Sequence, residues 1–149
     1  MLLHASSVAR KGNAVLLLGA PGAGKSDLVL RMIDVGWRLV ADDQVMLRAD
    51  HGVLRASAPA ALHGMLEVRG LGVLGPLPVE APDPAVRLAV MLVPREAVPR
   101  LPEPERWSAE GVAVPAIRLH GFDAAAPARL ALALEVACGR LGCTAGAFQ

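Results

Sequence analysis

The sequence predicts a single α/β domain over residues 1–149, with a central mixed β-sheet, one helix after a glycine-rich loop, a C-terminal helix and no separate N-terminal domain. Three observations predict it. Residues 14–18 form a short continuous apolar run, the mark of a strand buried on both faces. A glycine-rich turn, residues 19–24, leads from that run into a segment of helical periodicity. Further short apolar runs follow, bounded by glycines, prolines and aspartates. A length of 149 residues suits one ordinary domain, and 54% apolar against 19% charged residues is neither disordered nor fibrous. Aromatics are 3% and Tyr is absent, so the core is aliphatic.

In order, residues 25–35 place Leu28, Met32 and Ile33 at helical spacing, with Asp27, Arg31 and Asp34 on the other side, and Gly36 sits where a helix C-terminal glycine belongs. Residues 37–41 read as a second strand ending in Asp42-Asp43. Residues 45–48 and 53–56 read as a hairpin around Asp50-His51-Gly52. Residues 66–69 and 73–74 are short strand candidates, and residues 86–93 a clear strand. Pro94, Pro99, Pro102 and Pro104 then make a connection too donor-poor for regular structure. Residues 112–119 return to the sheet as an edge, with Pro115 limiting their pairing. Asp123 is the candidate cap of a final helix over residues 125–141, which is apolar nearly all round and so is buried or packed on another subunit. Homo-oligomerisation follows as an expectation.

Charge and composition exclude several classes. Fifteen Lys+Arg against fourteen Asp+Glu leave +1, too little to hold nucleic acid by bulk charge. No run reaches the ~18 apolar residues that a membrane span needs. Arg10-Lys11 before an apolar run resembles a signal peptide, but a strand entering a glycine-rich loop explains the same residues better. Cys138 and Cys143 are too few for a disulfide framework or a metal site, which points to a reducing cytoplasm.

The chemistry is concentrated in Gly19-Ala20-Pro21-Gly22-Ala23-Gly24-Lys25-Ser26, which fills every position of the G-x-x-x-x-G-K-[ST] pattern. Glycines let backbone wrap a phosphate, and the helix that starts there turns its unpaired N–H groups and positive dipole end toward the same anion. Lys25 brings a mobile charge to the outer phosphates, in a chain with one other lysine, Lys11, beside thirteen arginines. Ser26 offers a hydroxyl to Mg²⁺. The loop therefore implies a nucleotide's phosphates and Mg²⁺. Phosphoryl transfer also needs a proton acceptor, and the candidates are Asp42, Asp43 and Glu67. One Asp serves as base while the other places the water shell of the metal. Glu67 and Arg69, if extended, share a strand face and project a carboxylate and a guanidinium together.

These residues resemble a family. The phosphate loop, the stretch Arg38-Leu39-Val40-Ala41-Asp42-Asp43 and the stretch Glu67-Val68-Arg69-Gly70-Leu71-Gly72 together look like HPr kinase/phosphorylase, which phosphorylates a serine of the phosphocarrier HPr of the bacterial sugar phosphotransferase system. The resemblance implies a P-loop kinase-like fold, ATP as the nucleotide and ATP-dependent serine kinase activity. It gives nucleotide binding to residues 19–26 with neighbouring Asp27, metal contacts to Ser26 and Glu67, and catalytic roles to His4, Lys25, Asp42, Asp43 and Arg69. Asp42 matches the residue that accepts the serine proton. A later family arginine corresponds to Arg100, with Arg106 as the fallback. Asp27 stands where the family commonly has Glu, and the glycine-arginine-asparagine stretch linked to the reverse reaction has no clear match near residues 117–122. The chain looks closer to the shortened alphaproteobacterial form, so kinase rather than phosphorylase activity is expected. The alternatives are a small-molecule P-loop kinase and a non-catalytic nucleotide-sensing module.

Overall fold

Two strands precede the first apolar run in the computed structural model, which describes residues 1–149. They are β1 (Leu2–Leu3) and β2 (Ser6–Arg10), and β3 (Asn13–Leu18) is the run itself. Lys11 and Gly12, at φ 53 and 78, make the tight turn between β2 and β3, so the charged pair that mimics a signal peptide is a hairpin corner. The remaining elements are α1 (Lys25–Asp34), β4 (Arg38–Ala41), β5 (Val45–Asp50), β6 (Val53–Ser57), β7 (Leu66–Val68), β8 (Gly72–Leu74), β9 (Ala85–Leu92), β10 (Glu105–Ala109), β11 (Val112–Leu119) and α2 (Ala126–Ala137). Short 3₁₀ turns at Ala60–Leu62 and Arg95–Ala97 interrupt the connections.

The expected mixed sheet has nine strands. One branch reads β10-β11-β9-β3-β2-β4; a second leaves β9 through β6, β5 and β1. Strands β11, β9 and β3 are mutually parallel, and β2 runs antiparallel to both β3 and β4. Strands β3, β4, β9 and β11 therefore all end on one sheet edge, and β2 begins there. This places the loop after Leu18, the Asp pair after Ala41, residues 120–123 after Leu119, and His4 before Ser6 along a single rim. Ligands gather outside the carboxyl ends of such strands.

Alternation along the strands feeds two apolar layers. Val15 and Leu17 join Leu28, Val29, Met32, Leu130 and Leu134 beneath the two helices, while Leu16 and Leu18 face Val40, Leu47 and Leu54 beneath the β5–β6 hairpin. Helix α1 stops at a glycine for a visible reason. Gly36 takes φ 99 and donates to Ile33 C=O at 3.0 Å, and Trp37 N–H donates to Met32 C=O at 3.1 Å, the paired bonds of a Schellman motif. Buried Trp37 anchors this corner, with the Arg10 guanidinium 5.0 Å from its ring centroid.

Three local expectations change. Residues 112–119 are an interior strand: β11 pairs with β9 from Ala116 onward and with β10 from Val112 to Ala116, so the unforeseen β10 is the edge. Pro115 is tolerated because it precedes the β9 pairing. Helix α2 ends at Ala137 rather than near residue 141, followed by Gly139 at φ 77. Asp123 does not cap it with its side chain, because Arg95 and Arg129 hold that carboxylate at 2.6 and 3.1 Å. The helix is apolar nearly all round as expected, with charges only at Arg129 and Glu135. Ala126, Leu130, Ala133 and Leu134 form one buried stripe, and Leu132 is exposed on the outer side.

Because Leu130 is fully buried under α2, truncating it leaves a cavity against α1 and β9. Leu130→Ala is expected to cost about 2–5 kcal/mol, read as a lower urea midpoint at unchanged m-value.

Candidate active site

A cleft of about 590 Å³ opens on this rim, lined by Pro21, Gly22, Gly24, Lys25, Ser26, Asp27, Leu30, Asp43, Glu67, Val68, Arg69 and Phe122. Its floor is the loop. Gly22 and Gly24 hold φ 84 and 100, conformations that a side chain rarely adopts, and the space where a Gly22 Cβ would point is open. The backbone N–H groups of Gly22, Gly24, Lys25, Ser26 and Asp27 make no hydrogen bond within the protein, whereas Ala23 N–H is used locally on Ala20 C=O. These free donors sit at the positive end of α1, which is the chemistry of a phosphate cradle. Lys25 folds back, its Nζ donating to Gly19 C=O at 2.6 Å and Ala20 C=O at 3.2 Å.

The Asp pair divides into two environments. Asp42 Oδ1 accepts from Ser26 Oγ at 2.8 Å and from Ser6 Oγ at 2.8 Å. Asp43 takes the left-handed conformation at φ 70, its N–H donating to Ser6 Oγ at 3.2 Å, and its exposed carboxylate lines the cleft. His4 Nδ1 lies 3.6 Å from Asp43 Oδ1. The fully buried Ser6 thus ties both aspartates to the start of β2. Sequence reasoning missed it, since a serine in an unrecognised strand carries no signal of its own.

Glu67 lies on β7, whose Leu66 and Val68 are packed into the core beside α1. Arg69 follows in the turn rather than on the strand, so the shared strand face gives way to a corner. That turn is closed by Leu71 N–H on Val68 C=O at 2.9 Å, with Gly70 at φ 89. Both Glu67 and Arg69 nevertheless reach the cleft. Arg100 does not: it is exposed in the proline-rich connection and is absent from the lining, and Arg106 on β10 donates to Ala113 C=O at 3.0 Å. Asp27 is engaged by Arg31 at 2.9 Å, and Arg31 also donates to the carbonyls of Gly121 and Asp123.

The rim loop after β11 is the other part missed from sequence. Gly121 and Phe122 press on the phosphate loop: a Cβ on Gly121 would lie 2.8 Å from Ala23 O, and one on Gly24 would lie 3.1–3.3 Å from the Phe122 ring. His120 holds the loop through Nδ1 to Val93 C=O at 2.9 Å and packs edge-on to Phe122, with centroids 5.9 Å apart. Asp123 anchors its far end, and the Arg95 hydrogen bond holds its carboxyl below the usual carboxylate range. A depressed carboxyl helps the fold above its unfolded pKa, and that help is lost as pH falls through the lower folded value.

The fit to a metal rests on Ser26, Asp42 and Glu67. No set of three His, Cys, Asp or Glu side chains comes together to hold an ion unaided. A hydroxyl and two carboxylates beside a phosphate cradle suit Mg²⁺, which takes much of its coordination from substrate phosphates and water.

A strand, a loop of free amide donors and a helix, with carboxylates at the end of β4 two strands away, define the class: an α/β domain built around a loop of the G-x-x-x-x-G-K-[ST] pattern. Within that class the chain belongs to the family of the HPr Serine kinase C-terminal domain, whose family profile matches residues 1–77. It is 44% identical over 72 residues to the HPr kinase/phosphorylase of Clostridium novyi, a stretch that is 48% of this chain and 24% of that protein. It is 41% identical over 73 residues to the HPr kinase/phosphorylase of Lactobacillus acidophilus, covering 48% and 23%. The matched stretch thus spans about a quarter of these relatives. The fold is similar over nearly its whole length to the solved Hpr(Ser) kinase/phosphatase of Coxiella burnetii, with a TM-score of 0.74, 26% identity and coverage of 93% and 94% of the two chains.

Proposed function

We propose that this domain is an ATP-dependent serine kinase acting on the phosphocarrier HPr, in a reducing cytoplasm. The observation that carries the reading is the set of unpaired amide donors of Gly22, Gly24, Lys25, Ser26 and Asp27, opening beside the Asp pair. Such a cradle fits a polyphosphate and has no evident use otherwise. The family membership supplies the acceptor, since the relatives carry HPr in their names.

In the proposed reaction the loop amides and helix dipole hold the β- and γ-phosphates, and Lys25 leaves its carbonyl partners to meet the γ-phosphoryl oxygens. Ser26 and Glu67 would hold Mg²⁺, with Asp42 fixing the Ser26 hydroxyl and the metal's waters. Bound there, the ion would offset charge on the phosphate oxygens. The geometry favours Asp43 over Asp42 as proton acceptor, the reverse of what the resemblance implies. Asp43 faces the cleft, whereas Asp42 spends one oxygen on two hydroxyls. The serine oxygen loses its proton to Asp43 and bonds to the γ-phosphorus, and the bond to the β–γ bridging oxygen breaks, releasing ADP. His4 orients the Asp43 carboxylate, and Arg69 faces the transferring group. Arg100 has no role in this scheme unless the proline-rich connection moves.

Incubation of the domain with Mg·ATP and purified HPr tests the reading by mass spectrometry. Phosphoserine on HPr is the expected product. Phosphate appearing on small hydroxyl metabolites instead, or nucleotide binding without any transfer, overturns it in favour of a metabolite kinase or a nucleotide sensor.

Ser6 is a positioning residue in this account. A hydrogen bond to a charged partner is worth about 1.5–3 kcal/mol, so Ser6→Ala is expected to slow transfer by at least about tenfold. The loss should fall on kcat and on the Mg²⁺ requirement together, and Ser6→Thr should recover most of it.

A further inference from the structure

The rim has two flanks, and the kinase chemistry uses one of them. Along the sheet, β2 and β4 lie on one side of β3, ending in the Asp pair; β9 and β11 lie on the other, ending in residues 120–123. Both flanks reach the phosphate loop, at different points: Asp42 meets it at Ser26, with Oδ1 2.8 Å from Ser26 Oγ, and the Phe122 ring meets it at Gly24. A nucleotide whose terminal phosphate faces Ser26, Asp43 and Glu67 has the Gly24–Phe122 side of the same cleft available to its other end. The cleft lining changes character there. Phe122, which follows β11, is apolar, against the charged Asp43, Glu67 and Arg69. Phe122 is one of two phenylalanines in a chain without tyrosine, yet it stands 53% exposed. It is also held: its ring tip rests on Gly24, and His120, itself bonded to Val93, packs against it. An exposed aromatic ring fixed at a cleft wall pays little entropy on stacking with a ligand.

We propose that Phe122 is the nucleobase platform of this site, stacking on the base while the loop holds the phosphates. The inference rests on the phosphate-loop reading above and adds the ligand class at its far end. Stacking reads a π-face rather than hydrogen-bonding edges, so the platform should accept adenine and guanine alike.

The test compares Mg·ATP, Mg·GTP and inorganic tripolyphosphate by titration calorimetry on wild type, Phe122→Leu and Phe122→Trp. Leucine keeps an apolar filler against Gly24 and lacks the ring. Base–aromatic stacking corresponds to a loss of roughly 5- to 100-fold in affinity. The expected result is a loss of that size in Phe122→Leu for both nucleotides, tripolyphosphate unchanged within about twofold, and recovery in Phe122→Trp. Equal losses for nucleotide and tripolyphosphate, or no loss for either, overturn the platform and leave the phosphate loop standing. Failure of the wild type to bind tripolyphosphate and nucleotide overturns the loop reading and the platform with it.

Discussion

Lys25→Ala should abolish phosphate transfer while leaving the fold intact. The ammonium is half-exposed and bonded to two loop carbonyls that water can satisfy in its place, so its loss costs little stability. In the reaction it is the charge brought to the γ-phosphoryl group as negative charge spreads over its oxygens. Removing one such stabilising group typically costs about 10²–10³ in rate. The amide donors of Gly22, Gly24, Lys25, Ser26 and Asp27 remain, so nucleotide affinity should fall far less than turnover. Lys25→Arg is expected to fail as well, because a planar fork does not replace a compact ammonium in a loop this tight. Single-turnover rates beside calorimetric affinities separate the two effects. A Lys25→Ala protein that transfers phosphate at the wild-type rate would remove Lys25 from the mechanism.

The second large effect lies in the Asp pair, where the two isosteric amides should behave differently. Asp43→Asn removes the proton acceptor and leaves the Ser6–Asp42–Ser26 bonds untouched. Transfer should drop by about 10²–10⁴, the usual worth of a positioned base, with Mg²⁺ dependence unchanged. In Asp42→Asn the amide oxygen still accepts from the serine hydroxyls, but the charge beside the metal position is gone. Its main expected symptom is a raised Mg²⁺ requirement, with activity partly recovered at high Mg²⁺. The reverse pattern, in which Asp42→Asn is dead at every Mg²⁺ concentration and Asp43→Asn is nearly active, would return the proton to Asp42.

Much of this site was legible because its signals are local. Strand, loop and helix over residues 13–34 are contiguous, and each glycine in the loop answers to a backbone conformation. The hairpin around His51 and Gly52 was likewise readable from turn chemistry, and both residues take positive φ. What escaped was non-local. β2 reads as Ser-Ser-Val-Ala-Arg, too polar to announce a buried strand, and its two serines are buried because one bonds to Asp42 and the other to Val15 C=O. β10 was hidden among prolines and charges and exists because β11 offers it an edge. Asp123 looked like a helix cap, but arginines from residues 95 and 129 compete for its carboxylate. Phe122 gave no hint of facing the cleft until β11 was placed two strands from β3.

The direct measurement of the central claim is residue-resolved: amide chemical shifts of ¹⁵N-labelled protein during titration with Mg²⁺ and a non-hydrolysable ATP analogue. The account predicts saturable shifts that are largest at Gly22, Gly24, Lys25, Ser26 and Asp27, with smaller ones at Asp42, Asp43 and Phe122. Saturation that leaves those five amides unmoved, or shifts centred elsewhere on the sheet, would contradict it.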